Sequence, residues 1–258
     1  MAEPTLSLTL DELRREVARF LSFGRDYTNL NITQQEDVDS IIRRGLRQFY
    51  QPPPVAGFPS HQWSFLRPTV SFSTVANQET YQLPDDFGAM MGSRINFATI
   101  MYVDGPLIVS DYQYRAFKEA STAEEGLPVY ATVRVRASTG DVPTPVRHDL
   151  LLWPKPTKVH AMTYQYAAIQ DAVTGSLSYP AGAAMHGETI IASCLAIAEE
   201  YVVSPTSQYR QLFRERLASS ISLDRHTRGG GIIGKMRPTG DEAPPPMSRI
   251  SAVTYTPQ

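Results

Sequence analysis

The chain has 258 residues, 42% of them hydrophobic and 19% charged, with a net charge of −2. That length holds one large domain or two small ones with a real core, and the composition excludes global disorder. A near-neutral balance excludes a nucleic-acid binder held by bulk attraction, though not local contact with DNA. The single cysteine, Cys194, excludes an intrachain disulfide framework.

Met1 to Leu10 lacks a basic start followed by an apolar run, so no secretion signal is expected. No run of about 18 apolar residues suggests a membrane span, and synthesis in the cytoplasm is the expectation. The first helix is predicted from about Leu10 to Phe23, with Thr9 and Glu12 as a capping box and Gly24 as its stop. A second capping box, Thr33 with Glu36, predicts a helix from Gln34 to Tyr50, which the prolines at 52 to 54 end. Both helices carry apolar residues at helical spacing: Leu10, Leu13, Val17, Phe20 and Leu21 on one, Val38, Ile41, Ile42, Leu46 and Phe49 on the other.

The stretch Gln51 to Phe87 reads as the junction where the chain leaves a helical layer for a β layer. Strands are predicted at Thr69–Ser73, Glu79–Leu83, Ile95–Val103, Pro106–Val109, Val129–Val135, His148–Trp153 and Val159–Tyr166. Asp104-Gly105 is a turn signal, Asp111–Ala120 a short helix, and Pro154-Lys155-Pro156 a rigid turn. Helical spacing returns from about Gly187 to Val203, then Ser204 and Pro205 cap a last helix carrying Tyr209, Leu212, Phe213, Arg216, Leu217 and Ile221. The expected fold class is α+β. N- and C-terminal helix pairs (1–60 and 185–227) close into a helical bundle. An antiparallel sandwich or barrel-like β domain (61–184) is inserted between them, and an extended arm follows (228–258).

Catalytic readings find little support. Gly229-x-x-x-x-Gly234-Lys235 matches a phosphate-binding loop, but Met236 stands where a Ser or Thr should hold magnesium, and the motif follows a helix instead of a strand. His148-Asp149 lacks a further His/Asp cluster. His186 with Glu188 suits a helix start better than a metal. Cys194 lies in an apolar pattern with no poised base, and Asp85-Asp86 suits a turn after Pro84. No cofactor and no metal are expected. The aromatics, Trp63 and Trp153 among them, suit core and interface packing more than sugar stacking. The charged set on the first two helices is mixed: Arg14, Arg15, Arg43, Arg44 and Arg47 alternate with acids that include Glu36 and Asp37. It suits a solvated face or a register with a neighbouring copy.

The order of several segments resembles a known family: a helix pair, Trp63-Ser-Phe65-Leu66, Tyr81-Gln-Leu-Pro84-Asp-Asp-Phe87, Gly126-Leu-Pro-Val-Tyr-Ala131, Leu151-Leu-Trp153-Pro154-Lys-Pro156, and a late helix pair opening at His186-Gly-Glu188. It is similar to the head-to-tail adaptor (neck) proteins of tailed bacteriophages, in plan to the tail tubular A-type proteins. The resemblance implies a structural virion protein and no enzyme. Its copies form a ring, commonly twelvefold, under the portal and around the DNA channel, touching the portal, the tail or next neck protein and, transiently, genomic double-stranded DNA. The arm, with Arg228, Gly229, Gly230, Gly231, Ile232, Ile233, Lys235, Met236 and Arg237, is placed by the resemblance on the portal. A carbohydrate- or receptor-binding tail accessory is the alternative reading.

Overall fold

The computed structural model describes residues 4–54, 60–98, 103–121, 124–136, 146–175, 178–202 and 208–227. Helix α1 (Leu10–Phe20) opens on the expected Thr9–Glu12 box: Glu12 N donates to Thr9 Oγ1, and Thr9 N to the Glu12 carboxylate. It stops earlier than expected. Ser22 takes the left-handed backbone (φ 60), and Phe23 N and Ser22 N close on Ala18 O and Arg19 O, the double closure of a Schellman turn. Helix α2 (Ile32–Tyr50) is capped by Asn31 with Gln34, not by Thr33 with Glu36. Both quartets fit the box pattern, and the upstream one wins because a helix extends to the earliest point at which its orphan amides are satisfied.

Helix α4 (Ala183–Tyr201) begins four residues ahead of the expected Gly187 and is kinked at His186 (φ −121, ψ 16). Helix α5 (Gln208–Thr227) follows; the expected Ser204-Pro205 cap lies outside the described residues. The apolar stripes of α1, α2, α4 and α5 close on one another around Leu13, Val17, Ile41, Phe49, Ile190, Cys194, Phe213 and Leu217. The α2–α4 crossing is very close. A Cβ on Gly45 would lie 2.7 Å from the Cα of Cys194, and Ser193 Oγ donates to Gly45 O at 2.8 Å.

The strands are β1 (Thr69–Ser73), β2 (Thr80–Gln82), β3 (Phe87–Phe97), β4 (Leu107–Ile108), β5 (Glu125–Gly126), β6 (Tyr130–Val135), β7 (His148–Trp153), β8 (Lys155–Pro156) and β9 (Ala161–Ala168). Seven of them form one curled, barrel-like sheet in the order β1-β9-β3-β4-β6-β7-β2. Its inner face packs Tyr81, Phe87, Ile95, Leu150, Leu152, Met162 and Tyr164 into a second core. Within this sheet the pairings are antiparallel except β4 with β6, which run parallel because helix α3 (Asp111–Ala120) carries the chain back between them. Tyr114 on α3 packs with Leu151 and Trp153 as a third, small cluster.

Two strand expectations are corrected. β3 starts at Phe87, eight residues before Ile95, because pairing with β9 recruits a segment of poor β propensity; Gly92 (φ 82) falls within its irregular register. Pro154-Lys155-Pro156 is not only a turn: the Trp153–Pro154 bond is cis, and Lys155–Pro156 pairs with Glu125–Gly126 as a two-stranded ladder.

Candidate functional site

Three regions hold the residues singled out in the sequence, the first as candidates for contact between subunits and the other two as architectural. The first is the charged face of α1 and α2. Arg14 is engaged within the chain: its guanidinium makes two bonds to Asp39 (3.0 and 3.1 Å) and lies 4.2 Å from the centre of the Tyr27 ring. Burial opposes its charge, but the Asp39 bond prevails and raises its pKa. Arg44 reaches Glu200 of α4 at 3.8 Å, and Arg210 of α5 pairs with the same carboxylate. Asp37 accepts a bond from Tyr201, which with its charge raises the tyrosine's pKa. These residues tie helices together within one chain.

Arg15, Arg43, Arg47 and Glu36 differ. All four are exposed, and none makes an ion pair among the described residues. Glu36, Asp37 and Arg43 line a groove of about 580 Å³ with Tyr27, Ile32 and Gln35. Ile32, three-quarters exposed, gives this groove an apolar edge. A surface that mixes unpaired charge of both signs with an exposed aliphatic side chain is suited to a protein partner, since unpaired exposed charges discriminate between partners and the apolar part supplies affinity.

The second region is the junction, His61 to Leu66. Trp63 and Phe65 were assigned to the β domain from the sequence; they pack in the helical core instead. Trp63 is 1% exposed, and its Nε1 donates to Phe49 O at 2.7 Å, which satisfies one of the carbonyls orphaned at the end of α2. Phe65 lies against Gly182, where a Cβ would come within 2.7 Å of the ring. Asp224, 1% exposed near the end of α5, accepts from His61 Nε2 (2.8 Å), Ser64 Oγ (2.5 Å) and Ser64 N (3.1 Å). Serine, histidine and aspartate meet here, yet both partners bond the carboxylate. The order is that of a clamp and not of a nucleophile poised by a base. Asp224 was missed from the sequence. One signal was present: it continues the spacing Phe213, Leu217, Ser220, so a carboxylate stands on the buried stripe. Glu199 was missed too. It is 4% exposed at the end of α4 and caps α5, accepting from Gln208 N (2.9 Å) and Tyr209 N (3.0 Å).

The third region is the β module. Phe87 is buried against Tyr166 and His148, and Pro84 accepts the Phe87 N–H on its carbonyl in the turn between. Trp153 is 4% exposed, with the Lys118 ammonium 5.0 Å from its ring centre. Pro156 is buried and Pro154 half-buried. With both tryptophans inside, neither presents a ring to a sugar. On the outside, Phe117 stacks on Tyr130 at 4.3 Å, and Tyr112 of α3 is exposed.

The chemical candidates disperse. Asp149 is engaged by Arg136, and Asp85 by Arg147 at 2.9 Å. Burial pushes the Cys194 thiol up to about 12. Burial also holds the His186 imidazole below its ordinary value; Asp224 acts in the opposite direction and His61 in the same one. Among the described residues, no three His, Cys, Asp or Glu side chains are placed to hold a metal ion, and no helix is long and apolar enough to cross a membrane. The arm residues Arg228 to Arg237, with the Gly229–Lys235 motif, lie outside the described residues.

No curated protein matches the chain. The family model of the SU10 adaptor protein matches residues 8–234, most of the 258, from the segment before α1 to beyond α5. The chain therefore belongs to the SU10 adaptor protein family, a family of structural phage adaptors.

Proposed function

We propose that the protein is a ring-forming virion component that joins the portal to the tail at the neck and surrounds the DNA channel. The supporting observation is the unpaired charge on α1 and α2. Among the described residues Arg15, Arg43, Arg47 and Glu36 make no ion pair within the chain, whereas their neighbours Arg14 and Arg44 do. A ring that closes head to tail needs two different, complementary faces on each subunit, and mixed unpaired charge supplies a register for them. In this reading the helical layer, extended by His61–Leu66, and the curled sheet serve as two contact modules, and twelve copies are the expected number. The segment from Arg228 onward binds the portal, and genomic double-stranded DNA passes with only transient contacts.

The test is assembly on portal particles, read by sedimentation and negative-stain imaging. Arg43→Glu with Arg47→Glu weakens ring formation while the fold persists; deletion of Arg228 to Gln258 weakens portal attachment. Failure of the intact protein to bind portal particles overturns the proposal. The carbohydrate-binding alternative predicts glycan-array signals that depend on Tyr112 and Phe117.

A further inference from the structure

The junction His61–Leu66 lies in the segment that joins α2 to β1, which begins at Thr69. It is held from three sides. Trp63 bonds the last turn of α2, Ser64 and His61 bond Asp224 of α5, and Phe65 covers the start of α4. Under these contacts sits His186. Its side chain lies among Phe49, Trp63 and Phe65, at ring-centre separations of 6.1, 4.9 and 5.7 Å. It is 2% exposed, and its Nδ1 has no hydrogen-bond partner among the described residues. The backbone breaks helical geometry at the same residue, so the first turn of α4 is a separate segment from the rest.

We propose that this junction is an acid-sensitive hinge, which fixes the helical layer against the sheet near neutral pH and releases His61–Leu66 when His186 takes a proton. An imidazolium in this box has no acceptor on Nδ1, and a buried charge without a partner is strongly disfavoured. Two ionisable groups act on it from the elements packed around it. Asp224 of α5 favours the proton and His61 of the junction opposes it. From α2 comes Tyr50, whose hydroxyl accepts from Ala181 N and whose pKa burial pushes up to about 12, so it stays neutral.

Desolvation prevails, and His186 titrates below its ordinary value of 6.5. The sign follows. Above 6.5 the imidazole is neutral in closed and open forms alike, and the closed form keeps its full advantage. As the pH falls below 6.5 the open form binds more protons, and the advantage shrinks until the closed form also protonates. Opening admits water to Nδ1, and the segment that must move to do so is the one Asp224 clamps. This hinge concerns a single chain and does not depend on ring formation.

The experiment is hydrogen exchange by mass spectrometry on the full chain, as protection factors at pH 7.5 and 5.5. It is paired with Trp63 emission in a Trp153→Phe background. Protection across His61–Leu66 and the last two turns of α5 falls at least tenfold at the lower pH, Trp63 emission shifts to the red, and β6 and β7 keep their protection. His186→Phe, which fills the box without titrating, abolishes both responses; His186→Gln serves the same purpose if the phenylalanine variant does not fold. The proposal is overturned if protection is unchanged at pH 5.5, if it falls uniformly over the whole protein, or if the response survives in the His186 variant.

Discussion

Gly45→Ala isolates the α2–α4 crossing. The new methyl would lie 2.6 Å from Cys194 Sγ, 2.7 Å from its Cα and 3.0 Å from its N. Two of the three obstacles are backbone and cannot swing aside, so the helices must separate by roughly 1 Å to reach ordinary contact distances. Overpacking of this kind costs about 1–3 kcal/mol, and rigid neighbours place it near the upper end. Separation also stretches the Ser193–Gly45 bond, which is buried, for about 1 kcal/mol more. Alanine's better helix propensity returns about 1 kcal/mol. The net loss is about 2–3 kcal/mol, or about 5–10 °C in the melting temperature of a domain this size. Urea unfolding should show a lower midpoint with an unchanged slope. Adding Cys194→Ala removes only the sulfur contact, so the double variant should not regain wild-type stability. A Gly45→Ala protein within 2 °C of wild type, or full rescue by Cys194→Ala, would refute the close-packing account.

Trp63→Phe leaves the Phe49 carbonyl without its donor in a dry site; a loss of about 2–4 kcal/mol in urea unfolding is expected. Cys194 should react with a thiol reagent only at the rate of unfolding, because the group is fully buried and burial pushes its pKa up to about 12; fast labelling of the native protein would contradict its placement. Glu79 titrates below its ordinary value although burial opposes this, because bonds from Lys118 and Tyr114 hold the carboxylate. Its contribution is complete above the unfolded value of 4.5 and is lost as the pH falls through the lowered one. Glu79→Gln should therefore reduce stability at pH 7 and flatten the acid limb of the curve, which thermal melts from pH 3 to 7 would show.

The four terminal helices were legible because their stripes are long and strictly periodic, so tertiary packing had only to agree with the local pattern. The same holds for β1 and β7. The start of β3 was not legible: Phe87–Arg94 holds two glycines and no β-branched residue, and only pairing with Tyr166 and Ala168, about 80 residues on, makes it a strand. The charged face was legible as a face but not as pairs. Arg14 and Arg15 are adjacent in sequence, and a turn of 100° sends one to Asp39 and the other to solvent. The His61–Asp224 contact spans 163 positions, so no local rule reaches it. The sequence did mark its acidic half, a carboxylate in a buried row.

Glu199 fixes how α5 leaves α4. One side chain accepts from successive amides at the head of the next helix, so a single carboxylate ties the start of α5 to the end of α4. A change at position 199 is therefore felt by two helices at once.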